Sequence, residues 1–307
     1  MANLQFSAKV RELIRQSRQI EAPARRRILE LLDEARKRIA GELAGMDPLR
    51  PQAVQLRQLR SSIDAAFEHF RQQATITAQA LERQGFEFGV KIAEQPLDAG
   101  GLRVPVAGQG LTGVSRNTLQ IAQDFTADLI SNLSRDAAGK VNAALQRAFL
   151  GGQKLTDIIE QVAEGLGGKG PLDIFSKVGE RAVNVTINEI KRGFSIAGQA
   201  RMEELGERFP EMRKQWRWVN VGQEPRMDHR LAPPEGANGQ IQRVDEPFLV
   251  AGEELMFPRD PNGSAENTIN CHCISVPYFD ADAFKPSERQ KTLLRDLGIE
   301  ISVDRAA

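Results

Sequence analysis

Apolar residues recur at three- and four-residue steps over most of the first two-thirds of the chain, the spacing that lines one face of an α-helix. Between residues 23 and 44 the set is Ile28, Leu31, Leu32, Ala35, Ile39 and Leu43. Pro23 suits a first-turn position, where its missing N–H has no partner to lose, and Gly45 with Pro48 suits the stop. Residues 51–84 carry Leu56, Leu59, Ile63, Phe67, Phe70, Ala74 and Leu81 on one side. A helix of that length reaches about 50 Å, a rod rather than a globule. The pair, joined by "AGMDPLRP", predicts an antiparallel hairpin or arm over residues 1–84. One apolar stripe on each rod needs a cover, either another helix of this chain or a partner.

Residues 85–113 interrupt the pattern with at least six glycines and two prolines, predicting a long irregular connection. Helical spacing resumes over 114–210. Ser115 is a good N-cap, and Ala122, Phe125, Leu129, Leu133, Ala137, Val141, Leu145 and Phe149 form a stripe ended by Gly151 and Gly152. Thr156 is placed to cap a shorter helix, "TDIIEQVAEG". Another long helix follows from Leu172, weakened by three internal glycines.

After Pro210 the period changes. "KQWRWVNV" alternates like a strand with Trp216 and Trp218 on one face, and "GQIQRV", "PFLVAGEELMF" and "CHCISVPYF" are further strands between turn residues. Residues 211–284 thus form a small β-rich module. Residues 285–307 form a last helix, capped by Ser287 and stopped by Gly298, and a tail. The predicted fold is mainly α with a C-terminal α+β module. A module of about 70–75 residues has a marginal core, and such units are often stapled.

Composition and charge narrow the function classes. The 307 residues are 41% hydrophobic and 27% charged, and no run approaches a membrane span. The first residues lack an apolar h-region, so no secretion signal is expected. The net charge is zero, yet residues 1–60 hold 13 Lys and Arg against 7 Asp and Glu. Arg25, Arg26, Arg27, Arg36, Lys37 and Arg38 are the centre of that excess. Spaced Glu–Arg pairs on a solvated helix face are the plain reading, and contact with DNA or an acidic protein is the sharper one. The sequence has no P-loop, Rossmann glycine pattern or G-x-S-x-G, so it does not argue for an enzyme.

The only two cysteines flank a histidine in "ENTINCHCISV". In an extended segment Cys271 and Cys273 share a face and His272 points the other way. His229 is the natural third member of a metal site, with Asp228 or water completing a zinc tetrahedron. Structural zinc would supply the staple, because its binding free energy becomes folding free energy. The plainer alternative is two small reduced cysteines packed as hydrophobes. The third is a thiol nucleophile with His229 as base and Asn270 or Asp228 as orienter.

The order of features over 216–279 resembles the phage head-morphogenesis family of minor head proteins, the Mu F-like proteins. It comprises the strand "WRWVNV", Arg226 and His229 in an Arg-x-x-His turn, Gly239-Gln240-Ile241, Glu246-Pro247-Phe248, Gly252 before "LMFPRDP", and Asn270-Cys271-x-Cys273. Upstream helices extend the likeness to residues ~115–280. Where that family has Arg-Thr-Glu late in its last long helix, this chain has Thr186 and Glu189 without the arginine. His272 stands where an arginine is usual. The resemblance implies a minor capsid protein of a tailed phage at the portal vertex and head interior, in the virion and, during assembly, in the host cytoplasm. Its partners would be the portal protein, other head proteins and packaged DNA, with no membrane and no obligatory cofactor. It would aid head morphogenesis and accompany DNA on ejection. Arg226, His229, Gly239, Asn270, Cys271 and Cys273 would then hold the module together. Related modules carry C-terminal toxin domains, which keeps a nucleic-acid- or nucleotide-acting enzyme with His229, Cys271 and Cys273 at its site as the alternative. Only 34 residues follow Cys273, too few for a further unstapled domain.

Overall fold

The structure, a computed structural model, describes residues 2–46, 53–102, 104, 113–154, 157, 174–219 and 226–280. Helices α1 (Ala2–Ser17), α2 (Glu21–Ala44), α3 (Ala53–Ala99), α4 (Gly113–Leu150) and α5 (Ile174–Arg208) precede the module. Then come β1 (Arg213–Arg217), α6 (Met227–Arg230), β2 (Ile241–Arg243), β3 (Phe248–Val250), β4 (Glu253–Leu255), α7 (Ala265–Thr268) and β5 (Ile274–Tyr278). The chain is mainly α with a small antiparallel β region near its C-terminus, as the periodicity predicts. Apart from Asp157, the helix expected from Thr156 lies outside the described residues, as does the one expected after Ser287.

The predicted stripe of α2 is buried in full, at Ile28, Leu31, Leu32, Ala35, Ile39 and Leu43. Its cover is α3 and α5, and α4 packs on those two to complete one shared apolar cluster. The stripes that raised the question of a partner are therefore closed within the chain, and residues 1–84 are not a free hairpin. Helix α1 was not foreseen. Its Phe6, Val10 and Leu13, at i, i+4 and i+7, join Ile92 and Leu97 of α3, Met202 and Leu205 of α5, and Ile274 and Val276 of β5.

The expected connection at 85–113 is corrected over 85–99, where α3 continues as helix. Glycine there serves close approach rather than interruption. A Cβ on Gly85 would lie 2.7 Å from the Ile190 carbonyl oxygen, and one on Gly89 would overlap the Phe194 carbonyl. Bare backbone lets α3 and α5 touch. The true stop is Gly101 at φ +79°, with Leu102 N–H donating to Leu97 O at 2.9 Å and Gly101 N–H to Asp98 O at 2.9 Å, the hydrogen bonds of a Schellman motif.

Helix α4 begins at Gly113, so Ser115 lies inside it and is not its cap. Its lower stripe, Leu133, Ala137, Val141 and Leu145, is buried as expected. In its upper half the buried face is instead Leu119, Gln123, Thr126 and Ile130, while Phe125 is 49% exposed. Polar groups are tolerated there because they are bonded: Gln123 Nε2 donates to Gln79 O at 3.0 Å and Thr126 Oγ1 to Glu82 Oε1. Burial pushes the Glu82 carboxyl up to about 7, with Glu189 adding repulsion against the Thr126 hydrogen bond.

The sheet runs β2–β1–β5, both pairings antiparallel, with Trp216 opposite Ser275. Strands β3 and β4 form a hairpin whose turn residues, Ala251 (φ 50°) and Gly252 (φ 81°), both have the positive φ of a type I′ turn.

Gly89→Ala should destabilise the chain by about 2–3 kcal/mol in urea unfolding, since the new methyl meets backbone. Gly41→Ala should be neutral or stabilising by up to about 1 kcal/mol, because nothing lies within 4 Å of its added Cβ in the last turn of α2. The raised Glu82 pKa gives stability that is complete below pH ~4.5 and declines as pH rises to about 7. Glu82→Gln should therefore gain on the wild type through that window, by about 3 kcal/mol at its upper end, in unfolding curves collected against pH.

Candidate metal centre

Three short segments bring His229, Cys271 and Cys273 together. The single-turn helix α6 carries His229, and the chain then doubles back so that Ala237 N–H donates to Asp228 O at 2.8 Å and Asn238 N–H to Leu231 O at 2.9 Å. Helix α7 is capped by the Ser264 side chain, which accepts from Asn267 N–H. Asn270 then adopts φ 55°, a left-handed turn suited to asparagine, with its N–H donating to Asn188 Oδ1 at 3.0 Å. That turn feeds the two cysteines into the start of β5, just ahead of the strand proper.

His229 Nδ1 lies 3.5 Å from Cys271 Sγ and 3.6 Å from Cys273 Sγ. The three ligand atoms lie within 4.8 Å of one another. His229 is 3% exposed, Cys271 2% and Cys273 1%. Trp216, Phe248, Val250, Leu255 and Ala237 pack around them. The Trp216 ring meets His229 edge-on at 5.8 Å. His229 Nε2 is 3.2 Å from Asn267 Oδ1. Glu253 is held below its usual range first by Ser264 and also by the Asn267 amide. An amide oxygen only accepts, so the Asn267 Oδ1 that faces the ring fixes the direction of that bond. Nε2 then donates, leaving the Nδ1 lone pair toward the sulphurs.

The two thiols titrate in opposite directions. A hydrogen bond from Cys273, then His229 and the Arg259 charge, hold Cys271 well below the usual thiol range against burial. Burial and the neighbouring Cys271 push Cys273 well above it. Burial works against protonation of His229, but its hydrogen bond to Cys271 and that group's charge outweigh it and raise the imidazole. The Trp216 indole N–H has no conventional acceptor, yet it is near enough to Cys273 to favour its thiolate. Arg259 is 1% exposed, donates to Cys271 O at 2.6 Å and to Ser195 Oγ at 2.9 Å, and its charge also favours the thiolates.

His272 points away from the thiols, as the alternation requires. Its Nδ1 is 2.6 Å from Lys191 Nζ and 3.2 Å from Glu21 Oε1, and Lys191 pairs with Glu21. Burial would raise Glu21, but His272 and Lys191 bring it down to about 2. Burial lowers Lys191 to about 8. The contacts belong to a longer seam. On α5 the buried residues Asn188, Lys191, Ser195 and Gln199, at i, i+3, i+7 and i+11, meet Asn270, His272, Arg259 and Val244 of the module in turn. Gln199 Oε1 also accepts from the buried Lys214 at 3.3 Å.

The other predicted residues have separate places. Arg226 donates to Ile269 O at 2.7 Å, tying α6 to the turn before the cysteines. Gly239, at φ 92°, donates to Trp216 O at 2.8 Å and locks the return loop to β1. Asp228 is exposed and is not in the cluster, and the orienting group is Asn267 rather than Asn270 or Asp228. Of the basic set on α2, Arg26 and Arg27 pair with Glu30, and Arg36 and Lys37 with Asp33. That leaves Arg25 and Arg38 as exposed cations to either side of these pairs. Sequence reasoning missed Asn267, Arg259 and the α5 seam. The one available signal was Ser264 preceding "AENT", which marks a helix start beside the cysteines.

No family model matches the chain, and no solved structure matches it. A curated protein of Bacillus subtilis (strain 168), named as uncharacterized protein YqbB, is 26% identical over 183 residues, 58% of this chain and 54% of the relative. The chain spans about half the length of that relative.

Proposed function

We propose that this chain is a structural assembly protein, a minor head component of a tailed phage that acts with the portal protein and other head proteins during head morphogenesis. The observation that carries the reading is where the recognised residues converge. Trp216, His229, Phe248, Cys271 and Cys273 pack in or against one cluster, and Arg226, Gly239, Gly252 and Asn270 shape the turns that deliver it. The pattern that resembles the Mu F-like proteins is thus a recipe for one module's architecture.

A thiol nucleophile needs solvent or substrate access, and both thiols and the imidazole are buried beneath an aromatic and aliphatic wall. Their use as ties within the module follows more directly than catalysis. The paired cations of α2 favour a solvated face over a DNA groove, so protein partners come before packaged DNA in this reading. On it the protein assembles in host cytoplasm and resides in the virion.

Particles purified from the phage or prophage encoding the chain should contain it at low copy relative to the major shell protein. Cross-linking and mass spectrometry of those particles should join it to the portal. Absence from the particles, together with nuclease or nucleotide-modifying turnover by the full chain that His229→Ala abolishes, would replace this reading with an enzymatic one.

A further inference from the structure

We propose that the module binds one zinc ion, with His229 Nδ1, Cys271 Sγ and Cys273 Sγ as ligands and Asn267 as the residue that positions the imidazole. The proposal stands independently of the head-protein reading, since it concerns what ties the module together wherever the protein acts.

Distance is the first support. Tetrahedral zinc, with Zn–S about 2.3 Å and Zn–N about 2.0–2.1 Å, separates a sulphur from a nitrogen by about 3.6 Å. The two S···N separations are 3.5 and 3.6 Å. A conventional thiol–imidazole pair would place one sulphur close and leave the other free. Here the nitrogen stands nearly equidistant from both.

The chemistry of the donors agrees with the distances. Two thiolates and an imidazole are the soft and borderline set that selects zinc over magnesium or calcium. Binding at Nδ1 requires a proton on Nε2, and Asn267 Oδ1, 3.2 Å from Nε2 and able only to accept, favours that tautomer. The Asn267 amide oxygen takes the place at the far ring nitrogen that a carboxylate, backbone carbonyl or water takes around other metal-bound histidines. Three protein ligands leave one vertex to a water, one fewer than the four that close other structural zinc sites, so the staple here keeps one open position.

Charge and stability complete the case. Arg259 is buried with no carboxylate in ion-pair contact among the described residues, and it donates to the Cys271 carbonyl at 2.6 Å, so negative charge on the two sulphurs would complement it. Dipositive zinc balances the two thiolates, and the Arg259 guanidinium, bonded to the Cys271 carbonyl, offsets the electron density that the thiolates retain. The module's strands are three to five residues long and its core is a small cluster, so it gains most from a staple.

The test uses the full chain purified under reducing conditions without chelator, with metals counted by elemental analysis. The expected result is near one zinc per chain, falling to background in Cys271→Ser with Cys273→Ser and in His229→Ala. Asn267→Ala should keep the site but weaken zinc by about 10–100-fold in competition with a chelating dye, as loss of an outer hydrogen bond does. To separate loss of the site from loss of the fold in the cysteine variants, cobalt(II) is added to metal-stripped wild type. It should give the intense visible bands of a tetrahedral site and thiolate-to-metal charge transfer, both erased by one equivalent of zinc. Metal-free fresh protein with no such cobalt spectrum would overturn the proposal. So would zinc retained in a folded double-serine variant.

Discussion

Burying a polar group without a partner costs roughly 1–3 kcal/mol, and that constraint organises the junction between the helices and the sheet. Helix α5 is enclosed on nearly every side from Thr186 to Gln199, so its polar residues have no water to turn to. Asn188, Lys191, Ser195 and Gln199 each find a partner in the β-module. The module needs the helix just as much. The N–H of the left-handed Asn270, the buried Arg259 guanidinium and the buried Lys214 ammonium all end on that stripe. Neither half satisfies its polar groups alone, which binds two unlike architectures into one structure.

The histidine and cysteine cluster lies directly behind this seam. Cys271 and Cys273 face the imidazole while His272, between them, faces Lys191 and Glu21. The strand period of two therefore turns one tripeptide into a hinge pin between the module's interior and the helical body. Arg259 works the same way, with one nitrogen on the Cys271 carbonyl and another on Ser195. Anything that fixes the thiols also fixes the seam. This explains how a sheet of short strands keeps a defined position against helices of up to 47 residues.

Much of this was legible in the sequence, and the rest was hidden for identifiable reasons. The stripes of α2 and of the lower half of α4 could be read because apolar residues at helical spacing have one use. The three-way meeting of His229, Cys271 and Cys273 could be anticipated from scarcity, since the chain has three histidines and two cysteines. The end of α3 was misplaced because Gly85 and Gly89 read as breakers when considered alone. Their role appears only when the α5 backbone is seen against them. The α5 seam was illegible for a deeper reason. A polar residue at helical spacing normally marks a solvent face, and its true partners here lie 45 to 82 residues further along the chain. Asn267 and Arg259 were missed on the same ground.

Native-state hydrogen exchange tests the mutual dependence of helix and module most directly. Amides of α5 between residues 188 and 199 and those of β1 and β5 should open with one common free energy, close to that of global unfolding, and with the same dependence on denaturant. Sheet amides that exchange through a separate opening, several kcal/mol below that of α5, would show that the module holds itself together without the seam and would contradict this account.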